Sequence, residues 1–113
     1  MSRITYSLRY LPLFYNDFEE CVMYIADVLC NKEAANNLVN DVESAILERL
    51  NNPESFEPYH SSKERKYPYY RIYVKNYTIY YVVIPNGDNK KIMEVRRMLH
   101  NLQDRDKREI TII

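Results

Sequence analysis

The chain has 113 residues, 46% of them hydrophobic, which is typical of one compact domain and too apolar for a disordered chain. No apolar run approaches the roughly 18 residues that a membrane-spanning helix needs. Residues 1–15 also lack the continuous apolar stretch of a signal peptide. We therefore expect a single domain over residues 1–113, a cytoplasmic location and no membrane partner. Cys21 and Cys30 lie nine positions apart on one predicted helix, roughly 13 Å along its axis, which is too far for a disulfide.

The net charge of zero conceals an asymmetry along the chain. Residues 1–60 carry four Lys and Arg against ten Asp and Glu, whereas residues 61–113 carry twelve against six. A basic second half favours a polyanionic partner. Acidic helices followed by basic strands would give the same numbers without any such partner, so charge alone leaves both interpretations open.

The first half of the chain predicts one strand and two helices. Residues 4–8 alternate polar with β-branched and aromatic side chains, as a short strand does. Pro12 suits the opening turn of a helix, and Asn31 can cap the start of a second helix that stops at residues 51–53. The apolar stripe of the first helix is Phe14, Phe18, Cys21, Val22, Ile25, Val28 and Leu29. The short link between the helices predicts an antiparallel hairpin.

The second half changes to a period of two after an irregular connection over residues 53–68. Strands are predicted over residues 69–74, 77–84 and 91–99, with turns at residues 75–76 and 85–88. These three strands would form an antiparallel meander. The tail over residues 101–113 is charged and ends Ile-Thr-Ile-Ile. A short helix, an edge strand and a segment that orders on a partner all remain open for it.

The order of elements defines the expected fold class, which is α+β with the order β-α-α-β-β-β. The N-terminal helical hairpin should pack on one face of a small antiparallel sheet and leave the other face open. On the first meander strand, alternation directs Tyr70, Ile72 and Val74 to the core and Arg71 to the open face. The last strand does not alternate cleanly, so the pattern leaves open which of Arg96 and Arg97 faces outward.

The residues with the most pointed chemistry lie on or near these strands. Twelve tyrosines among Lys and Arg suit RNA contact through stacking and phosphate pairing, although tyrosine is also simply a good strand former. His100 could serve as an acid or base near neutral pH, or it could be structural. Two distant histidines and two helical cysteines do not form a metal site, and we expect no cofactor.

These residues together resemble the RelE/ParE superfamily of bacterial type II toxin–antitoxin toxins, also called plasmid stabilisation proteins. The resemblance covers almost the whole chain and rests on the order of its pieces rather than on any one of them. Those pieces are the early strand, the helix with Phe18 and residues 24–26, the second helix ending at residues 50–53, and the stretches over residues 69–81 and 95–100.

The resemblance implies a toxin that arrests growth until a cognate antitoxin neutralises it, with a toxin–antitoxin hetero-oligomer as one expected form. RelE-like members cleave mRNA bound to the ribosome, whereas ParE-like members inhibit DNA gyrase without being nucleases. If the chain were an mRNA interferase, the resemblance implies a metal-free endoribonuclease that uses Arg71, Arg97 and His100. The residues expected to bind nucleic acid are Lys63, Arg65, Lys66 and Arg96.

Two departures bear on which activity to expect. Many RNA-cleaving members carry an aromatic residue shortly after the last strand, but residues 101–104 here are Asn, Leu, Gln and Asp. Ribosome-dependent nucleases are also usually strongly basic, whereas this chain is neutral. The ending Leu99-His100, followed by a polar stretch that contains Asp104, is more similar to the ParE branch. Against that, Arg71, the cluster from Lys63 to Lys66 and His100 could still support metal-free cleavage. A degenerate toxin fold that only binds its partner is a third reading.

Overall fold

The computed structural model describes residues 3–59 and 66–102. Their elements are strand β1 (Thr5–Tyr10), helix α1 (Pro12–Met23), a π-helical turn (Tyr24–Val28), helix α2 (Lys32–Leu50), and strands β2 (Tyr70–Val74), β3 (Tyr77–Pro85) and β4 (Lys90–His100). The predicted fold class and order of elements are confirmed. Within the described residues, neither helix combines the length and the apolarity needed to cross a bilayer.

The sheet has four strands in the order β1-β4-β3-β2. The predicted meander is present, since β2 pairs with β3 and β3 with β4, both antiparallel. β1 joins the outer side of β4 in parallel, with Arg9 opposite Glu94, so the sheet is mixed rather than wholly antiparallel. This pairing matters for the site because it brings an arginine from the start of the chain beside the last strand.

The helices begin where the sequence predicts. Pro12 lies in the first turn of α1, and the side-chain oxygen of Asn31 accepts a hydrogen bond from the Ala34 N–H at 3.0 Å, which caps α2. The end of the first helix differs. The Leu29 N–H donates to the Tyr24 carbonyl five residues back at 3.1 Å, so the last turn is π-helical. The wider turn takes Val28 and Leu29 out of the predicted apolar stripe, and both are exposed.

The helix-covered face of the sheet carries the main core. The buried members of this core come from α1, α2 and all three meander strands: Phe14, Leu38, Val42, Ile46, Tyr70, Ile72, Val74, Ile79, Tyr81, Val83, Met93, Val95 and Met98. The predicted inward set of β2 is therefore confirmed. Burial of this aliphatic and aromatic surface is the main source of stability.

The second face, on the side of the sheet away from the helices, is not open at its centre, and that prediction is wrong. Tyr69, Tyr80, Val82 and Leu99 form a second buried cluster there, and Tyr59 and Tyr67 of the connection pack against it. The backbone of Tyr59 bridges to that of Tyr69, which lays the connection over the strands. Alternation predicted the direction of these side chains but could not predict that a loop covers them.

Candidate functional site

Arg71 lies on the second face and is framed by aromatic rings. Its guanidinium carbon is 4.5 Å from the ring centre of Tyr59 and 5.6 Å from that of Tyr73. These distances are in the range of cation–π attraction. Within residues 3–59 and 66–102, no carboxylate pairs with Arg71. Its cation is therefore placed to meet an anion from solution.

Arg49 holds the connection that supplies Tyr59. Its guanidinium stacks over Phe56 with 3.5 Å to the ring centre and donates to the Tyr81 hydroxyl at 2.9 Å and to the Arg71 carbonyl at 3.1 Å. The Tyr81 hydroxyl in turn donates to the Pro53 carbonyl at 2.7 Å. This chain of contacts fixes the start of the connection against β2 and β3.

A second set of hydrogen bonds ties the same connection to the other edge of the sheet, at β1 and β4. Glu54 accepts hydrogen bonds from the Tyr6 hydroxyl at 2.7 Å and from the Lys91 ammonium at 2.8 Å. Burial alone would raise the pKa of Glu54, but the hydrogen bonds from Lys91 and Tyr6 lower it. Burial and the same carboxylate raise the pKa of Tyr6 to about 12. The connection is therefore anchored on both β1 and β4.

Arg96 also lies on the second face, but it is paired. A β-bulge opposite Tyr80 and Tyr81 places Arg96 and Arg97 together between the inward residues Val95 and Met98. Arg96 Nε donates to Glu94 at 2.9 Å, and its guanidinium lies 5.7 Å from the ring centre of Tyr69. The bulge explains why strict alternation could not separate the two arginines.

Glu94 is shared by two arginines. It is 5% exposed and accepts from Arg9 Nε at 2.8 Å on one oxygen while Arg96 binds the other. Burial would raise the pKa of Glu94, but the hydrogen bonds from Arg9 and Arg96 hold it below its ordinary value. Burial would lower the pKa of Arg96, yet its bonds to Tyr69 and Glu94 raise it. Arg96, which was predicted to contact nucleic acid, is thus part of an ion-pair network centred on the buried Glu94.

Arg97 is bound to α1 rather than presented on the sheet. Its Nε and a terminal nitrogen donate to the two oxygens of Asp17 at 2.7 and 3.0 Å. The Met98 N–H donates to Asp17 as well, at 3.0 Å. The bidentate bonds to Asp17 raise the pKa of Arg97. Asp17 thus accepts a hydrogen bond from a β4 backbone N–H that lies beyond the last residue paired with β1. Together with the bonds from Arg97, this contact links α1 to β4.

His100 ends β4 on the side of the helices. It lies opposite Tyr77, which packs against the helix-side core, and the two rings meet edge to face with centres 5.2 Å apart. The Leu102 N–H donates to His100 Nδ1 at 3.1 Å. Because Nδ1 accepts this bond, the neutral ring carries its proton on Nε2. His100 and Arg71 therefore lie on opposite faces of the sheet.

Of the predicted basic cluster in the connection, Lys66 is exposed, with its ammonium 5.5 Å from the ring centre of Tyr67. Lys63 and Arg65 lie outside the described residues. Arg9, Glu94 and Asp17 determine how Arg96 and Arg97 are held, and none of the three was predicted from the sequence. The usable signal in the sequence was an acidic residue, Glu94, between the apolar residues Met93 and Val95 of a predicted strand.

A separate apolar groove lies between α1 and α2. Its volume is about 270 Å³, and its lining is mainly aromatic and aliphatic: Tyr10, Phe14, Tyr15, Phe18, Val42, Glu43, Ile46 and Leu47. Tyr15 and Leu47 are about half exposed at its margin. A concave apolar surface with an acidic margin fits a protein side chain better than a nucleic acid.

Comparison with known proteins identifies the family to which the chain belongs. A family model described as the ParE toxin of the type II toxin–antitoxin system parDE matches residues 8–105. A search of curated proteins finds no match. The matched region includes all the helices, the three meander strands and the tyrosine-flanked Arg71. The chain therefore belongs to the ParE toxin family of type II toxin–antitoxin systems.

Proposed function

We propose that this toxin arrests growth by binding and inhibiting DNA gyrase and that it does not cleave RNA. Membership of the ParE family implies a cognate antitoxin as its partner. The single observation that carries the proposal is that the three residues that cleavage would need are not free to meet around one phosphate, although Arg71 and Arg97 both lie opposite Tyr80 in the sheet. Arg71 is on the second face, Arg97 is paired with Asp17 on α1, and His100 is on the helix side.

Metal-free cleavage of RNA needs these groups around one phosphate. A base must reach the 2′-hydroxyl at hydrogen-bond distance, and cations must meet the charge that develops on the phosphate. A bidentate carboxylate on Arg97 competes directly with a phosphate for the same donors. A histidine that faces the helices cannot reach a phosphate held at Arg71 on the other side of the sheet.

Surfaces for binding a protein are present on the same molecule. The groove between α1 and α2 offers apolar walls, and exposed Tyr15 and Leu47 extend them. Aromatic side chains of this kind supply much of the binding energy at protein interfaces. Inhibition by binding needs only such a surface and no assembled catalytic group.

The test is a supercoiling assay with purified gyrase, ATP and relaxed plasmid, titrated with purified toxin. We expect loss of supercoiling with rising toxin and its recovery when cognate antitoxin is added first. In parallel, primer extension on a translated message should show no codon-linked cuts after toxin induction. Unaffected gyrase would reject the proposal whether or not cuts appear. Codon-linked cuts with intact supercoiling would assign the toxin to mRNA cleavage instead, and harmless expression without antitoxin would support a degenerate toxin.

A further inference from the structure

The tip of the helical hairpin exposes four large apolar side chains. They come from the end of α1 and from the π-helical turn, with exposures of 51% for Met23, 53% for Tyr24, 64% for Val28 and 55% for Leu29. We call these four residues the tip patch. Clustered exposed apolar side chains of this size mark contact surfaces, and π-helical turns are frequent at functional positions.

The last described residues lie at the end of the sheet toward which α1 runs. β4 finishes at His100 opposite Tyr77. Tyr77 packs on the helix-side core together with Cys21, which lies about one helical turn before Tyr24. The Asn101 N–H donates to the Asn76 carbonyl at 2.8 Å, which fixes the exit of the chain. Leu102, the last described residue, is 71% exposed. The described chain therefore stops at the end of the sheet nearer the tip of the helical hairpin.

The residues that follow are suited to cover an apolar surface. Residues 104–109 are all charged, and they precede Ile110, Thr111, Ile112 and Ile113. The eight residues from Leu102 to Ile110 can span up to about 26 Å. The tip patch extends only about 9 Å along the helix axis, so the isoleucines are within reach. The family match ends at residue 105, so these isoleucines lie outside the region shared with the family.

The charged residues that precede the isoleucines are partly complementary to the charges around the tip patch. Glu19 and Glu20 are exposed on α1, and Asp27 is exposed within the π-helical turn. Arg105, Lys107 and Arg108 come just before the isoleucines and can pair with these acids, while Asp104, Asp106 and Glu109 are interspersed among them. Exposed pairs of this kind contribute little energy, so the isoleucines would supply most of the attraction.

We propose that the end of this chain, residues 110–113, docks on the tip patch of the same molecule. The proposed contact buries the exposed side chains of Tyr24, Val28 and Leu29 beneath the isoleucines. The proposal does not depend on gyrase as the target, because it rests only on the exposed patch, the exit point at Leu102 and the sequence that follows.

The test uses the full chain with a nitroxide spin label on Cys30, which is exposed and adjacent to Leu29. Burial raises the pKa of Cys21 to about 11, so labelling at neutral pH selects Cys30. We expect the methyl NMR signals of Ile110, Ile112 and Ile113 to be lost through paramagnetic broadening, and restored when the label is reduced. The Ile4 methyl is the internal control, because it lies at the far end of the sheet.

Two variants make the result specific. Val28→Asp should restore the isoleucine signals, whereas Leu13→Asp should not, because Leu13 is also an exposed apolar residue (51%) but lies at the start of α1, outside the tip patch. Unbroadened isoleucine signals in the labelled full chain would overturn the proposal. So would broadening that appears only between a spin-labelled molecule and a separate isotope-labelled one, because a second copy would then occupy the patch.

Discussion

The two faces of the sheet are built on different principles. The helix-covered face is a continuous apolar core in which Ile79, Met93 and Val95 are fully buried. The second face is held by rings, cations and one shared carboxylate, with Arg71, Arg96 and Glu94 among its members. The stability of an apolar face depends mainly on the area that it buries, so similar apolar side chains can replace one another. The stability of a face of ion pairs depends on the particular partner of each charge. The same strands therefore carry one surface that the periodicity reveals and one that it does not.

The largest effect is expected on the helix-covered face. Leu38 on α2 is 1% exposed within the main core. Leu38→Ala removes buried methyl groups and leaves a cavity, so the free energy of unfolding should fall by about 3 kcal/mol. Urea unfolding followed by circular dichroism measures the change. A loss below about 1 kcal/mol would show that this face is packed more loosely than described.

The next effect tests the shared carboxylate of the second face. Glu94→Gln leaves Arg9 and Arg96 without their negative partner and should cost about 2 kcal/mol at neutral pH, a value discounted because Arg9 is half exposed. The folded-state pKa of Glu94 is lowered from its ordinary value of 4.5. The stability that Glu94 contributes is therefore fully present above about pH 4.5 and is lost as the pH falls through the lowered folded-state pKa.

Chemical unfolding at pH 7 and at about pH 3 distinguishes this from a packing defect. We expect the difference between the native chain and Glu94→Gln to shrink at the acid pH, because below the ordinary pKa of 4.5 the unfolded native chain takes up a proton on Glu94 and part of the stability of the folded ion pair is lost. Leu38→Ala is the matched control, because its cost should be the same at both values. If the loss in the free energy of unfolding caused by Glu94→Gln did not depend on pH, the ion pairs of Glu94 would not contribute to stability as described.

Asp17→Asn tests the joint between α1 and β4, with a smaller expected cost of about 1.5 kcal/mol. Asparagine keeps an acceptor for the Met98 N–H but loses the bidentate pairing with Arg97. The side-chain Nε–H signal of Arg97 in NMR should then exchange faster with water, while that of Arg96 stays unchanged. Unaltered exchange at Arg97 would contradict its assignment to a structural pair.

The smallest effect is expected at the margin of the second face. Tyr73 is 63% exposed and contributes one ring beside Arg71. Tyr73→Ser should change the free energy of unfolding by less than about 0.5 kcal/mol. Thermal unfolding of the variant measures this, and a drop comparable with that of Leu38→Ala would mean that the second face is as tightly packed as the first.

Sequence reasoning reached the fold because periodicity and caps are local signals. Pro12, Asn31 and the change of period after residue 68 placed the helices and strands within a residue or two. The parallel pairing of β1 with β4 depends on contacts about 85 residues apart in the chain, and no local pattern reports it. The π-helical turn was missed for a similar reason, since a regular 3.6-residue period assigns Val28 and Leu29 to the core stripe.

The candidate site was predicted only as a set of residue types. Arg71 was placed on the correct face and beside tyrosines, because alternation fixes side-chain direction. The partners of Arg96 and Arg97 could not be predicted, since the bulge in β4 and the position of Asp17 are products of the whole fold. The roles first given to Arg97, His100 and the basic residues of the connection remain predictions.

The central claim is that toxicity does not use acid–base chemistry at the end of β4. His100→Asn tests it most directly, because asparagine can still accept the Leu102 N–H through its side-chain oxygen but cannot transfer a proton near neutral pH. We expect the folded variant to arrest growth and to inhibit gyrase supercoiling within about twofold of the native toxin, a difference of about 0.4 kcal/mol in binding. A variant that folds with native-like thermal stability yet no longer arrests growth would contradict the account.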